Sequence, residues 1–214
     1  MRIALIGATG QIGQHILQEA LSRGHQVIAI VRSPEKLPAN PHLAAIQGSV
    51  YDTAVLATKL EGVDAVISAF NPGWGNADLP AKQIQGTDSV IAATKQAGVK
   101  RLLVVGGAGS LQVPGGGMDV VDTPDFPAEW KEAAKSVRET LKHLRTETEL
   151  DWTFLSPAAH IEPGQRTGRF RLGGDELLVD EKGESRISLP DYAVAMIDEL
   201  ESPQHSRQRF TLAY

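Results

Sequence analysis

The sequence predicts a doubly wound α/β fold, a parallel sheet covered by helices on both faces, in one domain spanning residues 1–214. Three observations predict it. Short apolar runs alternate with amphipathic segments from Arg2 to Leu155, the order of successive βαβ units. Those runs are continuously apolar, which requires that both faces of each strand be buried. Finally, Gly7-Ala8-Thr9-Gly10-Gln11-Ile12-Gly13 stands where the first run ends and the first helical pattern begins, the place where such a sheet meets its ligand.

Each element follows from its residues. Arg2 to Ile6 is an apolar strand closed by glycine, and Gln11 to Arg23 sets Ile12, Ile16, Leu17, Ala20 and Leu21 on one helical face before Gly24 stops the helix. Gln26 to Val31 is a β-branched strand that completes the first βαβ. Strands at Leu43 to Gln47 and Asp64 to Ala69 bracket a short helix from Thr53 to Leu60, and a long helix from Pro80 to Ala97 leads to the strand at 100–106. The glycine- and proline-rich stretch from Gly107 to Asp125 reads as a lid over a ligand. Pro127 suits the first turn of a helix to about Arg145, followed by a sixth strand at Asp151 to Leu155. Beyond it comes a small C-terminal hairpin and helix extension, with a hairpin outside the main sheet of 169–172 and 176–180 around Gly173-Gly174-Asp175 and a helix to about Glu201 opened by Ser188 and Asp191; Arg207 to Leu212 reads as a final strand.

Composition narrows the function. Twenty-one basic against twenty-six acidic residues leave a charge of −5, the wrong sign for a chain that neutralises nucleic-acid phosphates. Cysteine is absent, which excludes disulfides, thiolate catalysis and Cys-ligated metals. The histidines lack ligand spacing, so no metal is expected. There is no apolar run of spanning length. The expectation is a cytoplasmic protein with a small-molecule substrate, no nucleic-acid or membrane partner, and an oligomeric state left open.

The glycine motif carries the chemistry. Gly7, Ala8, Thr9, Gly10, Gln11 and Ile12 would let the backbone approach a pyrophosphate at a helix N-terminus. Where an NAD-preferring protein carries an acid to hold the ribose 2′-hydroxyl, this chain reads Val31-Arg32-Ser33. Arg32 would meet a 2′-phosphate, which favours NADP(H); the competing reading is a solvated charge at a strand end. Ligands bind outside strand C-termini, which places Ser49 and Val50 near adenine and Ala69 and Phe70 near its ribose. The same rule puts Gly107 to Ser110 and Ser156 to His160, including Pro157, around the nicotinamide.

GATGQIG at 7–13, Arg32, GGAGS at 106–110, DTPDFPAEWK at 122–131 and DWTFLSPAAHIEPGQRTG at 151–168 together resemble the atypical short-chain dehydrogenases of the NAD(P)H-flavin reductase and biliverdin reductase B-like group. The resemblance spans essentially the whole chain. It implies a single Rossmann domain, a nicotinamide cofactor and a planar acceptor such as FMN, FAD, a quinone or a tetrapyrrole, with flavin as substrate and not as tightly bound cofactor. Typical short-chain dehydrogenases use Tyr-x-x-x-Lys as proton donor, but here Val55 stands four after Tyr51 and Met196 four after Tyr192. Lys135 and Glu139 keep a spacing seen after the family's lysine, yet Lys131 stands four before Lys135. Ser110, Lys135 and His160 are the catalytic candidates. Lys135 reads equally as a ribose contact or as a solvated helix charge, and His160 as an acid, a substrate contact or a loop polar residue. Trp130 is expected in the core, in register with Ala133, Ala134 and Val137. The alternative to an enzyme is a non-catalytic NADP(H) sensor that binds a partner protein.

Overall fold

A strand such as Arg2–Ile6 (β1), with four consecutive apolar residues inside it, needs cover on both sides, and the chain supplies it by winding helices to either face. The computed structural model describes residues 1–74 and 76–214. The remaining strands are β2 (Gln26–Val31), β3 (Leu43–Gln47), β4 (Ala65–Ser68), β5 (Arg101–Val105), β6 (Asp151–Ser156), β7 (His160–Glu162), β8 (Arg171–Gly173), β9 (Arg186–Ser188) and β10 (Gln208–Ala213). The helices are α1 (Gln11–Ser22), α2 (Thr53–Leu60), α3 (Leu79–Gln96), α4 (Ala128–Thr146) and α5 (Leu189–Glu201).

The main sheet runs β3-β2-β1-β4-β5-β6-β10-β8 and is parallel except for β8. Its first six strands follow the dinucleotide-binding order, which reverses between β1 and β4. Alternate residues of one strand feed opposite cores. Ile3 and Leu5 join Ile16, Leu17 and Ala20 of α1 and Tyr192 to Leu200 of α5, whereas Ala4 and Ile6 join Leu56 of α2, Val90 of α3 and Leu141 and Leu144 of α4.

Three regions differ from expectation. The hairpin around Gly173-Gly174 does not form: β8 pairs antiparallel with β10 as the edge of the main sheet, and Glu176 bridges to Gln112. Asp175 sets this arrangement, because its carbonyl accepts from Gln112 N at 2.8 Å and its carboxylate binds Arg209. A second, two-stranded sheet of β7 and β9 lies beside the fold. The stretch from Gly107 to Asp125 is stapled over most of its length. Leu111 and Val121 are fully buried, Val120 N donates to Leu111 O, Val113 N donates to Met118 O, and Arg138 of α4 binds both Asp119 and Asp122. Even the Pro114–Gly117 tip is turned back on itself, Gly116 N donating to Val113 O at 2.9 Å.

Ser188 does cap α5, its hydroxyl accepting from Asp191 N at 3.1 Å. The Asp191 carboxylate, fully buried, turns the other way. It accepts from the Thr167 hydroxyl and, each at 2.8 Å, from Thr167 N, Gly168 N and the Tyr214 hydroxyl; burial pushes its pKa up, but these donors, the Thr167 hydroxyl foremost, outweigh it and hold the carboxylate below its usual range.

Candidate nucleotide-binding site

The site is built where the sheet's order reverses. Gly7 leaves β1 with φ +81° and passes so close to the chain after β4 that a Cβ there would stand 2.4 Å from Ala69 O. Gly13, in the first turn of α1, lies against the same glycine: its Cβ would be 2.0 Å from Gly7 O. The helix can dock this tightly only without side chains at both points. Gly10 is the N-cap and its N–H donates to Gly7 O at 3.0 Å.

What remains at the start of α1 is suited to an anion. No side chain caps the helix, its first turn carries no acid, and Thr9, Gly10 and Gln11 are exposed. Ala8 is buried and Ile12 half-buried, anchoring the turn from behind. Open first-turn N–H groups, the helix dipole and a glycine cradle fit a pyrophosphate.

The chain after β3, where the sequence pattern predicts adenine contacts, forms an aromatic pair with the chain after β4. Ser49 Oγ accepts from Tyr51 N at 3.2 Å and shapes the turn that presents Tyr51. Val50 is a core residue whose carbonyl accepts from Ser89. The Phe70 ring meets Tyr51 edge-on, with centroids 5.9 Å apart and planes at 87°. It fits against α3 because residue 86 is glycine: a Cβ there would sit 2.3 Å from Phe70 Cε1. Lys82 Nζ lies 4.8 Å from the Tyr51 ring centroid, a cation–π distance. Arg32 is exposed, and among the described residues its side chain makes no hydrogen bond; its carbonyl accepts from Gln47. Burial raises the Tyr51 phenol above its ordinary pKa, and the Arg32 charge acts against that rise. The sequence pattern marks neither Tyr51 nor Lys82 as an adenosine contact, although Tyr51 directly follows Ser49-Val50.

At the other end the polar groups are already engaged. The half-buried Gly107 opens the turn after β5, and Ser110, buried, donates its hydroxyl to Gly107 O at 3.0 Å. Lys135 Nζ pairs with Glu132 at 2.8 Å on the surface of α4. His160 is exposed on β7, and Pro157 is buried at the end of β6. No hydrogen bond joins Ser110, Lys135 and His160 among the described residues. Tyr192 is fully buried, and its hydroxyl donates to Leu155 O at 2.7 Å, a structural role that removes it as a proton donor to substrate. Burial drives its pKa up. No group of three His, Asp or Glu residues suited to a metal occurs among the described residues. Trp130 departs from expectation: it is 53% exposed, because α4 buries its stripe only from Ser136 onward and its first turns stay open to solvent. Trp74 after β4 and Met118 at the loop tip are also exposed.

A glycine turn between β1 and an uncapped helix, at the reversal point of a 3-2-1-4-5-6 sheet, defines a dinucleotide-binding Rossmann protein. The chain belongs to the NAD(P)H-binding family, whose model matches residues 7–203. It is 42% identical to the Bacillus subtilis (strain 168) protein YwnB, itself uncharacterized, over 99% of this chain and 98% of that one. A solved structure from Streptococcus pneumoniae TIGR4, provisionally called an NADH-flavin reductase, is 40% identical with a TM-score of 0.85, covering 100% of this chain and 99% of the other. One from Bacteroides thetaiotaomicron, provisionally called an epimerase, is 45% identical with a TM-score of 0.93, covering 100% and 96%. The family is of oxidoreductase type. No helix among the described residues is long and apolar enough to cross a membrane.

Proposed function

We propose that this chain is an NADPH-dependent oxidoreductase that reduces flavin or a similar planar acceptor. The observation that carries this reading is an open cofactor cradle in a chain without Tyr-x-x-x-Lys, whose buried Tyr192 is committed to Leu155 O. Reducing a carbonyl to an alcohol needs a proton delivered beside the alkoxide. A planar conjugated acceptor delocalises the charge it gains, so the protein has mainly to hold two rings in contact. The missing Tyr-x-x-x-Lys argues against epimerase chemistry as well.

In this reading the Gly7–Ile12 turn binds pyrophosphate, Arg32 meets the 2′-phosphate, Ser49, Tyr51 and Phe70 border the adenosine, and Gly107, Ser110 and Pro157 frame the nicotinamide. The bound nicotinamide supplies the hydride. Arg32 is the reason for naming NADPH, although the Streptococcus relative's name specifies NADH. The test is to mix purified protein with NADPH and excess FMN or FAD and follow absorbance at the nicotinamide band. Oxidation above the uncatalysed background is expected, and its absence overturns the enzyme reading.

A non-catalytic NADP(H) sensor is the second reading. It is favoured by the prior engagement of Ser110, whose hydroxyl proton is given to the Gly107 carbonyl. Tight NADPH binding without turnover of any planar acceptor would select it.

A further inference from the structure

Arg209 is the second residue of β10, followed by four buried residues, and its own side chain is only 2% exposed. Its guanidinium faces three segments: the turn after β5, the end of β6 and, because β8 runs antiparallel, the chain that leaves β8 beside the start of β10. After β8, Nε reaches Asp175 Oδ1 at 2.8 Å and Nη2 reaches Asp175 O at 3.2 Å. After β5, Nη1 donates to Ser110 O at 3.1 Å and Ser110 Oγ at 3.4 Å. At the end of β6, Nη1 lies 3.5 Å from Ser156 Oγ. Burial pulls Arg209 below its ordinary pKa, and Asp175 opposes the fall. Asp175 is also held by Arg145 of α4 at 3.0 Å and, through its carbonyl, by Gln112.

A guanidinium can only donate. Ser110 Oγ must therefore accept from Arg209, and its single proton is left for the Gly107 carbonyl, where the 3.0 Å contact finds it. One buried cation thus fixes the rotor of Ser110, the carbonyl of Gly107 and, through Asp175, the root of the stapled 112–119 loop. A residue present only to fill space would not need a charge: methionine has similar reach, and burying a guanidinium is costly unless each donor is used.

We propose that Arg209 is a positioning residue for the nicotinamide end of the site: it sets the orientation of Gly107 and Ser110 beside that ring, and through them the rate of reduction far more than NADPH affinity, which rests mainly on the pyrophosphate and 2′-phosphate contacts. This rests on the oxidoreductase reading above for its rate readout. A second readout does not, namely hydrogen exchange of the amides at 108–112.

The experiment compares Arg209→Met, Arg209→Lys, Ser110→Ala and the Arg209→Met/Ser110→Ala double variant. Each is measured for NADPH Kd by titration, for kcat and KM with FMN, and for exchange at 108–112. For Arg209→Met the expected result is a kcat lowered about tenfold, as misplacement of a ring-holding turn produces, with NADPH Kd within about twofold of wild type. Exchange at 108–112 rises while the β1–β4 amides stay protected. Arg209→Lys restores part of the rate. The double variant is no slower than Arg209→Met alone, since both changes cut one chain of contacts. If Arg209→Met fails to fold, Asp175→Asn takes its place, removing the carboxylate that holds the guanidinium from a side chain more than half exposed. Unchanged kcat and exchange in a folded variant overturn the proposal, as does a parallel loss of kcat and NADPH affinity, which would mark Arg209 as a general support of the fold. If wild type turns over no acceptor, the function reading fails, and the exchange data alone decide whether Arg209 orders the turn.

Discussion

The two halves of the molecule treat their polar groups in opposite ways. From β1 to α3 the groups at the sheet edge stand open: an uncapped α1, an exposed Arg32 with no side-chain partner among the described residues, and Lys82 resting on an aromatic face. From β5 onward they are spent on one another: Ser110 on Gly107, Arg209 on Asp175, Arg138 on Asp119 and Asp122, and Asp191 on Thr167, Gly168 and Tyr214. The first half is arranged to gain interactions from a ligand, the second to hold a shape in its presence. Affinity and geometry are therefore separable by mutation.

The largest effect is expected from Gly13→Ala, which forces a Cβ to 2.0 Å from a backbone oxygen that cannot swing aside. It should cost about 3 kcal/mol of stability as overpacking and weaken NADPH and NADH alike, read by thermal unfolding and cofactor titration. Intact binding would show that α1 can shift without losing the site.

Next is Asp191→Asn. This carboxylate binds its proton more weakly folded than unfolded, so its contribution is complete above the ordinary range near pH 4 and fades as the pH drops below it. Removing the charge should cost about 2 kcal/mol at pH 7 and leave a shallower acid limb in unfolding curves taken from pH 6 to 3. An unaltered acid limb would assign the acid sensitivity to Glu19, Glu147 and Glu201, which are also held low by their partners.

Arg32→Ala sharpens the comparison at the open end. NADPH affinity should fall by about one to two orders of magnitude, the loss of charge-assisted hydrogen bonds to one phosphate, while NADH affinity holds. A parallel loss for both cofactors would move Arg32 to the pyrophosphate or the fold. The smallest effect belongs to Lys135→Met. Its pairing with Glu132 is an exposed contact of adjacent helical turns, so stability should change by less than about 0.5 kcal/mol. A clear drop in cofactor affinity would reassign Lys135 to the ribose.

The open half was the more legible in the sequence. Glycine spacing, the alternation of strand and helix and the residue after β2 are read by local rules, and Gly7 to Gly13 and Arg32 lie at the strand ends where those rules put them. The closed half depends on contacts between distant segments. Nothing in Gly173-Gly174-Asp175 announces that the aspartate turns to Arg209, thirty-four residues on, so a hairpin reading was natural and β8 joined the main sheet instead. Arg209 did leave a trace, as a cation in an apolar strand. Trp130 sat on a helical stripe, but periodicity does not say where along a helix the burial starts.

The contact of Gly13 with Gly7 also bears on the thermodynamics of binding. Because β1, the turn and the first turn of α1 are locked backbone to backbone, a nucleotide arriving there meets donors already aimed, and little chain motion is left to freeze. Calorimetry should accordingly show a favourable enthalpy with only a small conformational-entropy penalty, and faster association than a site that must first assemble itself.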